Sequence, residues 1–158
     1  MHEEIFSDIG EVKTAFAIFA FLIVSAVIAC AAGFGWQINY SDALEQAAKE
    51  RKAVLLNFSG SDWCGWCIKL DKETFSERKF TEFAEDKLVL VGIDFPKSKT
   101  QSPQVKAQNE ALVKQYGIDG FPTLILLDSE GKEIAPNVGY LPGGPQGFIK
   151  WVRDAEGR

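Results

Sequence analysis

The chain has 158 residues, with 17 Lys and Arg against 22 Asp and Glu and a formal net charge of −5. That length is enough for one domain with its own core, rather than a mini-protein held together by crosslinks. No cluster of Lys and Arg stands out, so nucleic acid is not an expected partner, and three cysteines do not make a disulfide framework.

The first element is apolar. Thr14 to Ala32 runs without a charge, long enough to just span a bilayer. The small residues crowding its end equally fit the h-region of a signal peptide. Val27-Ile28-Ala29-Cys30 also resembles the lipobox of bacterial lipoproteins, which implies lipid attachment at Cys30. A buried core helix fits poorly, because the run is apolar on every face and lies at a terminus. Each of the three export readings takes the rest of the chain out of the cytoplasm, and Lys13 ahead of the run points to an N-terminus inside. Glu3, Glu4, Asp8 and Glu11 stand where a signal would be basic; translation from Val12 through an alternative start codon would remove them. Residues 1–35 are therefore expected to be a signal peptide, lipoprotein signal or membrane anchor, and 36–158 the folded domain.

Within that domain Trp36 to Tyr40 reads as a short first strand. Ser41-Asp42 can cap a helix with Ala43, Leu44, Ala47 and Ala48 on its apolar face. Ala53 to Phe58 is an apolar run broken only by Asn57, as in a central strand covered on both sides. A helix from Cys64 to about Thr74 comes next, and Ser76 can cap a continuation that turns Phe80, Phe83 and Ala84 inward. Leu88 to Asp94 is the next buried strand. After a polar loop, a helix from about Gln104 to Tyr116 stops at Gly117. Thr123 to Leu127, a turn at Asp128-Ser129-Glu130-Gly131 and Lys132 to Val138 make an antiparallel hairpin. Pro145 opens a last helix with Phe148, Ile149 and Val152 inward. The order βαβαβαββα predicts an α/β fold: crossovers giving parallel strands, an antiparallel closing edge, and helices on both faces of a mixed sheet.

The chemistry concentrates at Cys64 and Cys67. A thiol at a helix N-terminus sits among unpaired backbone N–H groups and the positive end of the dipole, which favours its thiolate. Two intervening residues put the second sulfur one turn on, within reach of a disulfide. Cys64 is then the exposed nucleophile and Cys67 the buried thiol that resolves a mixed disulfide. Two other readings compete. Half a zinc site needs further Cys or His ligands, and the chain offers only Cys30 and His2, both in or before the apolar segment. A purely structural disulfide across so short a loop gains little chain entropy. Redox chemistry is the reading taken. Trp63 is either a flat apolar platform for an extended substrate or an ordinary packing residue.

Trp63-Cys64-Gly65-Trp66-Cys67 after a buried strand resembles the thioredoxin superfamily, whose usual motif is Trp-Cys-Gly-Pro-Cys. The longer string from Gly60 to Asp71 is similar to a bacterial branch of exported, single-domain thioredoxin-like proteins. A second mark is Gly120-Phe121-Pro122-Thr123, where thioredoxins carry a cis-proline facing the cysteine pair. The resemblance covers roughly Trp36 to Arg153. It implies a thioredoxin-like fold and a thiol–disulfide oxidoreductase, more a reductase than an oxidant, with Cys64 and Cys67 catalytic. Trp63, Trp66, Phe121 and Pro122 would bind substrate, the backbone of Phe121 pairing with it like an added strand. It implies no metal, nucleotide or organic cofactor. The expected partners are proteins with disulfides or thiols and a membrane electron-transfer partner.

Three residues depart from the pattern. Trp66 replaces the usual proline. Asn57 stands where thioredoxins bury an aspartate that helps move the second cysteine's proton, and Leu90 where its lysine partner lies. Losing both is self-consistent, since neither buried charge is left unpaired. Asp62 or water could take over the proton, although a capping or loop role suits Asp62 better. The alternative of another class is a thioredoxin-fold adaptor or chaperone without redox turnover; an isomerase is a third.

Overall fold

The computed structural model describes residues 35–157. The expectations placed on Thr14 to Ala32 and on Cys30 lie outside the described residues. Among the described residues no helix is long and apolar enough to cross a membrane.

The elements run β1 (Trp36–Gln37), α1 (Tyr40–Glu50), β2 (Ala53–Ser59), α2 (Gly65–Leu70), a π-helical turn (Asp71–Phe75), α3 (Arg78–Lys87), β3 (Leu88–Asp94), α4 (Pro103–Tyr116), β4 (Thr123–Leu127), β5 (Glu133–Val138) and α5 (Gly144–Ala155). They form a five-stranded mixed sheet in the order β1-β3-β2-β4-β5. The alternation of side chains along each strand sorts the core into two layers. Leu55, Leu88, Leu90, Leu124 and Leu126 face Phe75, Phe80, Ala84, Phe148 and Val152 from the π turn, α3 and α5. Val54, Leu56, Phe58, Val89, Val91 and Ile125 face Ala43, Ala47 and Leu112 from α1 and α4. Helices thus cover both faces, as the continuous apolar runs of β2, β3 and β4 require.

Several local expectations are corrected. The crossover through α4 does not deliver a parallel strand, because β4 runs antiparallel to β2. The reason lies in where α4 begins and ends. Just ahead of its start Gln101 Nε2 donates to the Asp94 carbonyl (2.9 Å), and at its end Tyr116 packs edge-on to Phe58 (6.1 Å). Asp94 and Phe58 both lie at the C-terminal end of their strands, so α4 hands the chain to β4 at the same end of the sheet. β1 stops at Gln37 because Gln108 of α4 takes over the next backbone groups, donating to the Ile38 carbonyl (2.8 Å) and accepting from the Tyr40 amide (3.0 Å). The cap of α1 is Asn39, whose Oδ1 accepts from the Ser41 and Asp42 amides, rather than Ser41-Asp42. Ser76 closes the π turn, its amide donating to the Asp71 carbonyl (2.8 Å), and Glu77 occupies the start of α3 without a side-chain cap. Ala48 is exposed, and Phe83 and Ile149 are half-buried against the core.

Candidate active site

The site sits where β2 ends. Ser59 leads into a tight turn in which the Trp63 and Cys64 amides both donate to the Gly60 carbonyl, at 3.2 and 2.9 Å. Cys64 then occupies the N-cap of α2 in an extended conformation, and its Sγ accepts a hydrogen bond from the Cys67 amide at 3.2 Å. Sulfur here fills the place an oxygen-bearing cap usually holds, satisfying one of the helix's orphan donors. Cys64 and Cys67 are joined by a disulfide, with Cα atoms 5.2 Å apart.

One expectation needs correction: Cys64 is not the exposed member of the pair. It is 7% exposed and Cys67 6%. Its sulfur is turned onto the helix end by the bond to Cys67 and the amide it accepts, and what reaches solvent is the flanking rings, Trp63 at 42% and Trp66 at 58%.

Trp63 is held in place. Its indole Nε1 donates to the Phe95 carbonyl (2.7 Å) and its ring packs edge-on to Phe121 (6.0 Å), which stacks on Phe95 (5.2 Å). The Phe121–Pro122 peptide is cis. Pro122 is buried at the start of β4, where Thr123 pairs with Phe58 of β2 and with Val138 of β5, and the Pro122 carbonyl accepts the Gly139 amide at 2.8 Å. Trp63, Phe121 and Pro122 are thus gathered at the sheet end that carries the cysteines. Trp66 leans the other way, 5.6 Å from the Tyr140 ring, whose hydroxyl donates to Glu73. That bond to the Glu73 carboxylate pushes the Tyr140 pKa up, so the hydroxyl stays a donor.

Two carboxylates fix the turn before Cys64. Asp94 at the end of β3 accepts from the Ser61 amide (2.8 Å) and hydroxyl (2.6 Å). Asp62 accepts from the Lys97 amide (2.9 Å), the Ser98 amide (2.7 Å) and the Ser98 hydroxyl. The Ser98 hydroxyl first, then the two amides, bring its pKa down to about 2. A carboxylate that weakly basic and fully engaged is a loop staple, not a proton acceptor.

Asn57 lies in β2 opposite Gly92 of β3 and Leu124 of β4. It shares its face with Leu55, two residues back, which packs in the layer that holds Leu70. Leu70 belongs to α2, one turn after Cys67, so Asn57 lies on the sheet face that α2 covers. Its Oδ1 is buried without a hydrogen-bond partner among the described residues. Leu90 pairs with Leu55 in the register, one step along the same face, and brings no cation to the position. Among the described residues no group of three or more His, Cys, Asp or Glu side chains is arranged to hold a metal ion.

Sequence reasoning did not find Phe95, Lys69, Lys97, Tyr140 or Asp94. Lys97 Nζ lies 4.1 Å from the Trp63 ring centroid, and Lys69 Nζ lies 5.2 Å from that of Trp66 and 4.9 Å from that of Tyr140. The one available signal was Phe95-Pro96 directly after a buried strand, which places an aromatic ring at the sheet end used by the motif.

Against known proteins, the thioredoxin-like domain family matches residues 40–156. The disulfide bond reductase DsbH of Chlamydia pneumoniae is 38% identical over 125 residues, covering 79% of this chain and 74% of that protein. The thiol:disulfide interchange protein DsbD of Photorhabdus laumondii is 35% identical over 100 residues, covering 62% of this chain but 16% of its own length. A solved structure of a DsbH oxidoreductase superposes with a TM-score of 0.72 at 37% identity, covering 78% of this chain and 85% of that one.

Proposed function

The chain belongs to the thioredoxin-like domain family, and from that premise we propose that it reduces disulfides of client proteins outside the cytoplasm. The enzyme class, thiol–disulfide oxidoreductase, is that of its relatives, which are named for disulfide reduction and interchange. The observation that carries the reading is Cys64 at the start of α2, its sulfur accepting the Cys67 amide and bonded to Cys67.

In the forward direction the Cys64 thiolate attacks one sulfur of a client disulfide and expels the other as a thiolate. The Cys67 thiolate then attacks Cys64 Sγ, releasing the second client sulfur and leaving the Cys64–Cys67 disulfide. Two electrons pass to the client, and a membrane electron-transfer partner returns the pair to the dithiol. Backbone N–H groups at the start of α2 favour the thiolate form of Cys64. Phe121 and Pro122 hold the client chain beside it, and Trp63 and Trp66 supply apolar contact. Residues 1–35 export or tether the domain, with Cys30 the lipid-bearing residue if the segment is a lipoprotein signal, and 36–158 form the redox domain.

Equilibration of the cysteine pair with glutathione or dithiothreitol tests the reading. A reductase is expected near the thioredoxin value of about −270 mV, whereas a value near about −120 mV would make the protein a disulfide donor. A pair that does not equilibrate would leave the client-binding adaptor, the reading favoured by exposure of Trp63, Trp66 and Ile68.

A further inference from the structure

The two tryptophans of the motif are held by different means. Trp63 is tied directly to its surroundings, through the Phe95 carbonyl and the Phe121 ring. Trp66 instead meets Tyr140, which lies outside the motif on the segment between β5 and α5. Tyr140 touches three residues of the α2 and π-turn stretch. Its ring centroid is 5.6 Å from that of Trp66 and 4.9 Å from the Lys69 ammonium, and its hydroxyl donates to the Glu73 carboxylate. These three stand at i, i+3 and i+7, a spacing that lines side chains up along a helix. Lys69 Nζ also lies 5.2 Å from the Trp66 ring centroid, so the two rings share one cation.

The same segment is fixed to the cis-proline. The Gly139 amide donates to the Pro122 carbonyl at 2.8 Å, and Asn137 Nδ2 donates to the Gly139 carbonyl at 2.9 Å. Further on, Gly144 runs so close to the π turn that a Cβ there would lie 3.1 Å from the Glu73 carbonyl oxygen. Its φ of 57° is in the left-handed region, which residues with a side chain rarely adopt. Tyr140 thus stands one residue from the bond to Pro122 and in contact with Trp66. It joins two elements, α2 and β4, that are far apart in sequence.

We propose that Tyr140 is a positioning residue: anchored by Glu73, it braces Trp66 and the start of α2 against the cis-proline strand, and so fixes where Cys64 meets a sulfur carried on a peptide chain. The proposal rests on the redox reading and adds to it a residue that acts through Trp66 rather than on the sulfurs. Attack by the Cys64 thiolate needs the client sulfur in line with Cys64 Sγ while the client backbone lies at Phe121 and Pro122. Any slack between α2 and β4 misplaces one against the other and slows the attack. A small disulfide with no backbone to place does not feel that slack.

The test uses the dithiol form of the full chain in neutral detergent micelles and two substrates, a disulfide-linked peptide and bis(2-hydroxyethyl) disulfide. Tyr140→Phe keeps the ring and removes only the hydroxyl. It is expected to lower the second-order rate constant for the peptide about five-fold and to leave that for the small disulfide unchanged. Glu73→Ala is expected to match it, and the double variant to be no slower than either single one. Glu73→Gln keeps an acceptor oxygen and is expected to restore most of the peptide rate. An unchanged peptide rate in Tyr140→Phe, an equal fall on both substrates, or losses that add in the double variant would overturn the proposal. A role in stability alone would leave the ratio of the two rates where it is. If the parent chain reduces both substrates and the variants keep its ratio, only the assignment of Tyr140 fails; if the parent reduces neither, the redox reading fails with it.

Discussion

Replacing Asn57 by aspartate puts back an acid that the chain has dispensed with, and the surroundings set the consequence. The position is flanked by Gly92 and Leu124 in the register, with Leu90 one step along the same face. None of these offers a cation. The Asn57 Oδ1 is buried and takes no hydrogen bond among the described residues, so a carboxylate oxygen there would be stripped of water without compensation. Desolvation of this kind raises an acid's pKa by roughly one to three units, and each unit is about 1.36 kcal/mol. Asn57→Asp should therefore cost about 1.5–4 kcal/mol of stability at neutral pH relative to the same variant in acid. The folded pKa is raised, so the folded state holds the proton longer than the unfolded one. The loss is absent below about pH 3.9, where both states are protonated, grows as pH rises toward the folded pKa, and is constant above it. Asn57→Leu removes the orphaned oxygen instead, and is expected to be close to neutral at every pH. Urea unfolding of the oxidised protein at about pH 4 and pH 8, followed by tryptophan fluorescence, separates the cases. An equal cost of Asn57→Asp at both pH values would refute the argument that this position is apolar and without a countercharge.

Two further outcomes concern the turn before Cys64. The Lys97 and Ser98 amides, followed by NMR from pH 6 downward, should titrate with a midpoint near 2 rather than at the ordinary aspartate value of 3.8, because Asp62 is held down by its three donors. Since that pKa is lowered, the staple is complete above the ordinary range and is lost only as pH falls through about 2, and Asp62→Asn should abolish the titration. Gly60→Ala would place a Cβ 2.4 Å from Trp63 Cε2 and 2.6 Å from Nε1, closer than any real contact. The indole is expected to swing outward, losing its bond to the Phe95 carbonyl at a cost of about 1 kcal/mol; an unchanged Trp63 fluorescence spectrum and unfolding midpoint would refute this.

The parts of the fold legible from sequence are those set by burial. The bounds of β3 and β4 come from apolar runs flanked by polar turns, and β2 misses only Ser59 at its end. The parts that were not legible depend on competition among neighbours. Asn39, Ser41 and Asp42 can all cap a helix, and the choice of Asn39 became visible only once Gln108, distant in sequence, had bonded Ile38 and Tyr40. The direction of β4 likewise rests on where both ends of α4 dock, which periodicity within α4 does not encode. At the site, Trp63, Cys64, Trp66 and Cys67 are contiguous and Pro122 is marked by its motif. Phe95, Lys97, Lys69, Tyr140 and Asp94 come together only through folding, each on an element whose local pattern signals nothing but an exposed or strand-end position.

That division also explains how the chain can lack the family's buried aspartate and lysine and still carry a cysteine pair placed for chemistry. What acts on Cys64 is mainly backbone: the Cys67 amide on its sulfur and the unpaired N–H groups at the start of α2. Backbone donors survive any substitution that leaves the helix in place, so nothing at Asn57 or Leu90 can remove them. The second half of the proposed cycle differs, because Cys67 lies one turn into the helix, buried, with its proton to lose and an amide at Asn57, not an acid, on the strand face that α2 covers. The departure at Asn57 should therefore act on the step in which Cys67 attacks Cys64, and leave the first attack by Cys64 nearly untouched. Trapping separates the steps: with Cys67→Ser the mixed disulfide should form at the same rate whether residue 57 is Asn or Asp. With both cysteines present, the pH dependence of mixed-disulfide release should change between them. A change in the trapping rate instead would show that residue 57 acts on Cys64, and the assignment of roles along this face would have to be reversed.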